Sequence, residues 1–130
     1  MKLVYTLILL AFSHFAFGQD MDCSKFKTGK FKNIDASSAN TFIKRTATHQ
    51  FEHDKISGKK VKLKVVWDDE CSYRLILIKG NKKFLKDEPK GESPDLIVNI
   101  IKTGENYYMQ VAHFEGNEEI TYKSRIRKLN

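Results

Sequence analysis

His49 and His53 stand four residues apart, which on a β-strand puts both imidazoles on one face with Phe51 between them. Glu52 and Asp54 are their sequence neighbours, and His113 could join from another strand. Imidazole and carboxylate ligands in such a group would suit a zinc-type ion. The same spacing serves a half-buried strand equally well, with Phe51 as a packing residue. His49 and His53 are therefore candidate ligands, but no metal and no other cofactor is expected.

Asp68, Asp69 and Glu70 form the densest run of acids. General acid/base work needs carboxylates held apart in a pocket with separated pKa values, whereas three consecutive acids at a hairpin tip stay solvated. Cys71 follows directly. A thiolate nucleophile needs an activating partner, and neither a Cys-x-x-Cys spacing nor a nearby histidine supplies one. The chain has no Ser-His-Asp arrangement and no glycine-rich phosphate loop. No catalytic and no cofactor-binding residue is assigned, and the chain reads as a non-enzyme.

These groups have to be positioned by strands. Residues 61–78 read as two strands joined by the acidic turn. Val61, Leu63, Val65 and Trp67 share one face, and Tyr73, Leu75 and Leu77 share one face of the return strand. Lys62 and Lys64 lie on the opposite face. Trp67, Tyr73 and Leu75 are the expected structural core. Further strand patterns cover the segments around Phe31, 41–47, 49–53, 96–101, 107–114 and 120–127. In the last of these Ile120, Tyr122 and Ile126 should face inward, with Lys123, Arg125 and Arg127 outward. Residues 79–82 read as a turn, Phe84 and Leu85 as cover for one end of the sheet, and 87–94 as a polar loop holding both prolines. The expected fold is all-β, one antiparallel sheet domain of about seven or eight strands closed as a small lipocalin-like barrel or packed as a sandwich. Tyr73, Tyr107, Tyr108, Phe114 and Tyr122 would line a ligand cavity or fill the interior. Ile76 with Ile78, and Ile97 with Ile101, break the inside/outside alternation and imply that something covers the second face there.

Residues 1–18 have the form of a cleaved signal peptide: Lys2, an apolar run from Leu3 to Phe12, and small residues at Ala16 and Gly18. Residues 19–130 would then be a single β-rich domain, without a second hydrophobic segment long enough to span a membrane. Export makes a disulfide between Cys23 and Cys71 the expected state of the two cysteines. The bond would close a loop of about 49 residues, worth roughly 4 kcal/mol in chain entropy.

The formal charge of +7 favours anionic partners without specifying one. Its lysines are spread along the chain. Lys123, Arg125, Arg127 and Lys128 could track phosphates, but no exposed aromatics interleave with them, so nucleic acid is not an expected partner.

The segments Cys23-Ser-Lys-Phe-Lys-Thr-Gly-Lys-Phe31 and Trp67-Asp-Asp-Glu-Cys71-Ser-Tyr73-Arg-Leu75 resemble a family of small exported bacterial proteins. That family pairs a Cys-x-x-Phe-Lys-x-Gly-x-Phe opening with a central Trp-x-x-x-Cys-x-Tyr-x-Leu hairpin. The resemblance spans nearly all of residues 19–130 and rests on structural positions. It implies an exported β-rich domain and no particular activity. The label DNA topoisomerase IV that such chains sometimes carry has no support here, since no nucleophilic-tyrosine domain fits this length. The function expected is that of an exported, periplasmic or extracellular, non-catalytic domain binding a protein or cell-envelope component. The alternative is a small barrel carrying a hydrophobic ligand.

Overall fold

A computed structural model describes residues 21–35, 40–88 and 93–130. Residues 1–18, expected to be a cleaved signal peptide, lie outside the described residues. Eight strands, β1 (Gly29–Asn33), β2 (Thr41–Arg45), β3 (His49–Asp54), β4 (Lys60–Asp69), β5 (Ser72–Gly80), β6 (Leu96–Thr103), β7 (Tyr107–Phe114) and β8 (Asn117–Lys128), follow one another in chain order. Each pairs antiparallel with the next, and β8 returns to β1, so the sheet is a closed up-and-down barrel rather than a sandwich. Closure removes the exposed sheet edges that an eight-strand antiparallel domain would otherwise have to protect.

The period-two pattern chooses the inside. Leu63, Val65 and Trp67 of β4 oppose Leu77, Leu75 and Tyr73 of β5, as the hairpin pattern requires. Val98 and Ile100 of β6, Tyr108 and Ala112 of β7, and Phe31, Ile43 and Ile126 complete the buried set. A fully buried valine, leucine or phenylalanine contributes roughly 1.5–3 kcal/mol relative to exposure, so this interior is the main source of stability.

One end of the barrel, the base, carries the β2–β3, β4–β5 and β6–β7 turns. A 3₁₀ turn (Ser24–Phe26) plugs it, with Phe26 and Cys23 buried and Cys23 bonded to Cys71 beside the β4–β5 turn. Gly29 leads from plug to barrel at φ 133°, a conformation that a Cβ would strain. The other end, the mouth, carries the β3–β4 and β7–β8 turns and a short helix, α1 (Lys82–Lys86), capped by the Asn81 side chain accepting from the Phe84 amide.

Three expectations need correction. Residues 82–86 are helical rather than the end of a simple turn. Ile126 is buried, but Ile120 and Tyr122 are 52% and 49% exposed. They keep the inward parity, yet they sit where the long β8 runs to the rim of the mouth, beyond the reach of a second wall. Ile78 and Ile101 do not signal a covered second face. Each falls at a bulge, because Lys62 and Leu63 pair with Lys79 and Leu77, and Ile100 and Lys102 pair with Gln110 and Met109. The extra residue in each strand is left unpaired and its side chain exposed.

Candidate functional site

The buried polar residues gather at the base. Arg45, at the end of β2, is 2% exposed. Its Nε donates to Gln50 Oε1 at 2.7 Å, and its Nη1 donates to the Phe26 carbonyl at 2.8 Å. Its Nη2 reaches the Tyr108 hydroxyl at 2.9 Å and the Tyr73 hydroxyl at 3.1 Å. The guanidinium carbon lies 4.8 Å from the Phe31 ring centre and 4.7 Å from that of Tyr73, so aromatic faces add to the hydrogen bonds in replacing water. Tyr73 in turn donates to Gln110 Oε1 at 3.0 Å. Burial pushes the Tyr73 phenol well above its ordinary value, against the pull of Arg45, so it stays a neutral donor. Every nitrogen of the Arg45 guanidinium is thus engaged by a side chain or by the Phe26 carbonyl. The arrangement locks plug, β2, β5 and β7 together and leaves no reacting position, so Tyr73 and Tyr108 are core rather than cavity lining. Trp67 packs against Tyr73 with ring centres 4.6 Å apart, and its Nε1 is the one buried side-chain polar atom lacking a partner among the described residues.

Above this network the interior opens into a small cavity of about 170 Å³ at the mouth. Val61, Leu63, Leu75, Leu77, Leu96 and Phe114 form its walls, and Phe84 of α1 covers it. Glu52 and Glu88 are the ionisable residues lining it, and Gln50 Nε2 donates to the Glu52 carboxylate at 2.9 Å. Loss of hydration raises the Glu52 pKa, opposed by the Gln50 hydrogen bond and by the charge of Arg45. Drug-sized ligands need roughly 300 Å³ or more, so the interior holds nothing larger than a small apolar molecule.

The outer face is different. Register places Lys30 opposite Lys44, Lys44 opposite Phe51, Phe51 opposite Lys62, and Lys62 opposite Lys79. These five residues form one row running across β1 to β5. A second row runs beside it, from Arg127 to Lys32, Phe42, His53 and Lys60. Neighbours within a row sit about 4.8 Å apart, and the rows are about 7 Å apart. The whole first row, with Phe42, His53 and Lys60 of the second, lines a groove of about 660 Å³, and Phe42 and Phe51 are its aromatic residues on the outer face. Phe51 is 41% exposed. The Lys32 and Lys55 ammonium groups lie 5.4 and 5.3 Å from the Phe42 ring centre, and Lys62 lies 5.7 Å from that of Phe51.

The sequence candidates fall apart on this frame. His49 and His53 do share the outer face of β3, but four strand residues separate them by about 13 Å, too far to hold one ion. Lys64 stands opposite His49 and Lys60 opposite His53. Lost hydration, with Lys55 and Lys60 nearby, lowers the His53 pKa. His113 lies on β7, on the far side of the barrel, paired with Ile97. Among the described residues no three His, Cys, Asp or Glu side chains are grouped to hold a metal. Asp69 caps its own turn by accepting from the Cys71 amide at 2.8 Å, which is a local role. Cys71 is in the disulfide with Cys23.

Sequence reasoning missed Arg45, Gln50 and both cross-strand rows, and it read Glu52 only as a carboxylate beside the two histidines. The rows had a signal: lysines alternate at 30 and 32 and at 60, 62 and 64. Among the described residues no helix is long and apolar enough to cross a membrane. No protein-family model, curated protein or solved structure matches the chain.

Proposed function

We propose that the chain is an exported, non-catalytic binding domain that engages a cell-envelope component through the outer face of β1–β5. The observation that carries this reading is the contrast between inside and outside. The interior is closed at the base by the Arg45 network and leaves about 170 Å³ at the mouth, whereas the outer face borders a groove of about 660 Å³. The Cys23–Cys71 bond fits an oxidising compartment, where such an envelope partner would be met.

Like charges directly opposite one another on a sheet destabilise it, and this face holds the pairs Lys30–Lys44, Lys62–Lys79 and Lys32–Arg127. A protein that tolerates this cost gains from it when a partner supplies the missing negative charge. The mouth cavity supports a second reading, a carrier of a small hydrophobic ligand, through its apolar walls and the Phe84 cover.

Co-sedimentation of the full secreted protein with isolated envelopes of its source tests the choice. Lys44→Glu with Lys62→Glu should release the protein from the envelope fraction. Phe84→Trp, which crowds the mouth, should leave sedimentation unchanged. Release by the mouth substitution alone would transfer the function to the cavity.

A further inference from the structure

We infer that the partner of this face is a linear acidic polysaccharide with one carboxylate per sugar, lying along the two cross-strand rows. The inference rests on the outer-face reading and adds the chemistry of the occupant.

Three features select it. The first is spacing. Positions along a row recur at the strand separation of about 4.8 Å, and in each row cationic or imidazole side chains flank a central phenylalanine, Phe51 in one and Phe42 in the other. A linear polyuronate carries one carboxylate per ring, so a ring resting on the central phenylalanine sets its neighbours' carboxylates beside the flanking lysines. The second is the floor. Phe42 and Phe51 present ring faces between the lysines, a surface on which the apolar face of a sugar ring can rest while its carboxylate reaches a neighbouring ammonium. In the free protein Lys32, Lys55 and Lys62 hang over these rings. An anionic chain would draw the ammonium groups outward and uncover the rings.

The third is shape. The rows run around the girth of the barrel, one across β1 to β5 and the other from β8 across β1 to β4. A flexible chain follows that curvature, whereas a flat bilayer would touch only part of it. Among cations, the rows use lysine at every position but Arg127 and the titratable His53. Lysine provides point charges rather than the bidentate fork that arginine offers to phosphate. That choice and the disulfide disfavour a nucleic acid partner, whose bases could also stack on Phe42 and Phe51.

The test uses oligogalacturonate long enough to cross five strands, titrated into the full secreted protein and followed by calorimetry and backbone amide shifts. Binding should move the amides of residues 42–44, 51–53 and 60–62. Affinity should fall about tenfold or more between 50 and 200 mM salt by the counterion release expected of a polyelectrolyte. Lys44→Glu with Lys62→Glu should abolish binding, Phe51→Ala should weaken it at constant salt dependence, and Lys102→Glu on β6 should leave it unchanged. Failure of oligogalacturonate, with binding of single-stranded DNA or of anionic phosphatidylglycerol vesicles through Lys44 and Lys62, would overturn the polysaccharide and keep the face. Failure of all three probes, with envelope sedimentation unaffected by Lys44→Glu and Lys62→Glu, would overturn the face as well.

Discussion

Arg45 and Glu52 are joined through one carboxamide: Gln50 accepts from the guanidinium at 2.7 Å and donates to the carboxylate at 2.9 Å. Strands β2 and β3 thus place one inward cation and one inward acid in the same barrel, linked but not in contact. The charge of Arg45 depends on neutral hydroxyls, a carbonyl and this relayed acid in place of water. Arg45→Ala should therefore destabilise the protein by about 3 kcal/mol or more, because it strands several buried acceptors at once. Tyr73→Phe and Tyr108→Phe should each cost about 1–3 kcal/mol. Their double variant should depart from additivity, since both hydroxyls serve the same Nη2 and lie 3.1 Å apart. Urea denaturation of the parent and the four variants measures all of this. Strict additivity would show that the two phenols act separately.

Glu52 makes stability pH-dependent in a direction opposite to most carboxylates. Its folded pKa is raised above the ordinary 4.5, chiefly by lost hydration. Below 4.5 the side chain is protonated in both states and there is no penalty. As pH rises past 4.5 the unfolded chain releases the proton first, so stability falls until the folded pKa is passed. Glu52→Gln should remove that fall, and the variant should gain stability over the parent above this window while matching it more closely at pH 4. Thermal midpoints across pH 3–8 would show it. A parent whose carboxylate gains stability as pH rises through the window would reverse the assignment.

Reduction of Cys23–Cys71 should act on the base before the barrel. The bond ties the Ser24–Phe26 plug to the β4–β5 turn. Cys23→Ser with Cys71→Ser should cost up to about 4 kcal/mol. Amide exchange should accelerate first at residues 26–31. Unchanged protection there would mean that Phe26 packing and the Arg45 bond to its carbonyl hold the plug unaided.

Gly80 is the point where α1 closes over the mouth, and a Cβ there would overlap the Phe84 ring. Gly80→Ala should cost about 1–3 kcal/mol and displace Phe84 from the cavity. The paired variant Gly80→Ala with Phe84→Ala should recover most of the overlap cost. A neutral Gly80→Ala would show that α1 swings away freely.

The strand frame was readable because alternation needs no knowledge of partners: Leu63, Val65 and Trp67 declare a face by themselves, and a closed barrel was one of two architectures open to eight such strands. Bulges were not readable, since nothing local marks Ile78 or Ile101 as the extra residue. Arg45 was hidden because a charged residue at the end of a polar segment reads as solvent-facing until Gln50, Tyr73 and Tyr108 arrive from strands 5 to 63 positions away. The outer rows were hidden for a related reason. Lys30, Lys44, Lys62 and Lys79 look scattered along the chain, and only register lines them up.

The barrel wall is not equally strong all the way round. Between β8 and β1 the register pairs Ile126, Arg127 and Lys128 with Asn33, Lys32 and Phe31, flanked by the Ile34–Arg125 and Leu129–Lys30 backbone bonds, and between β5 and β6 it pairs Ser72 to Leu75 with Leu96 to Asn99. These two seams divide the sheet into a β1–β5 leaf and a β6–β8 leaf. At the base the leaves are riveted by Arg45, which spans from β2 to Tyr108 on β7. Toward the mouth the β5–β6 seam is clasped from outside by Arg74, bonded to Asp95 at 3.1 Å and to Glu115 at 2.9 Å. The two seams are thus tied at the base from within and toward the mouth from outside, and loss of the Arg74 bonds is expected to speed amide exchange first where β5 meets β6.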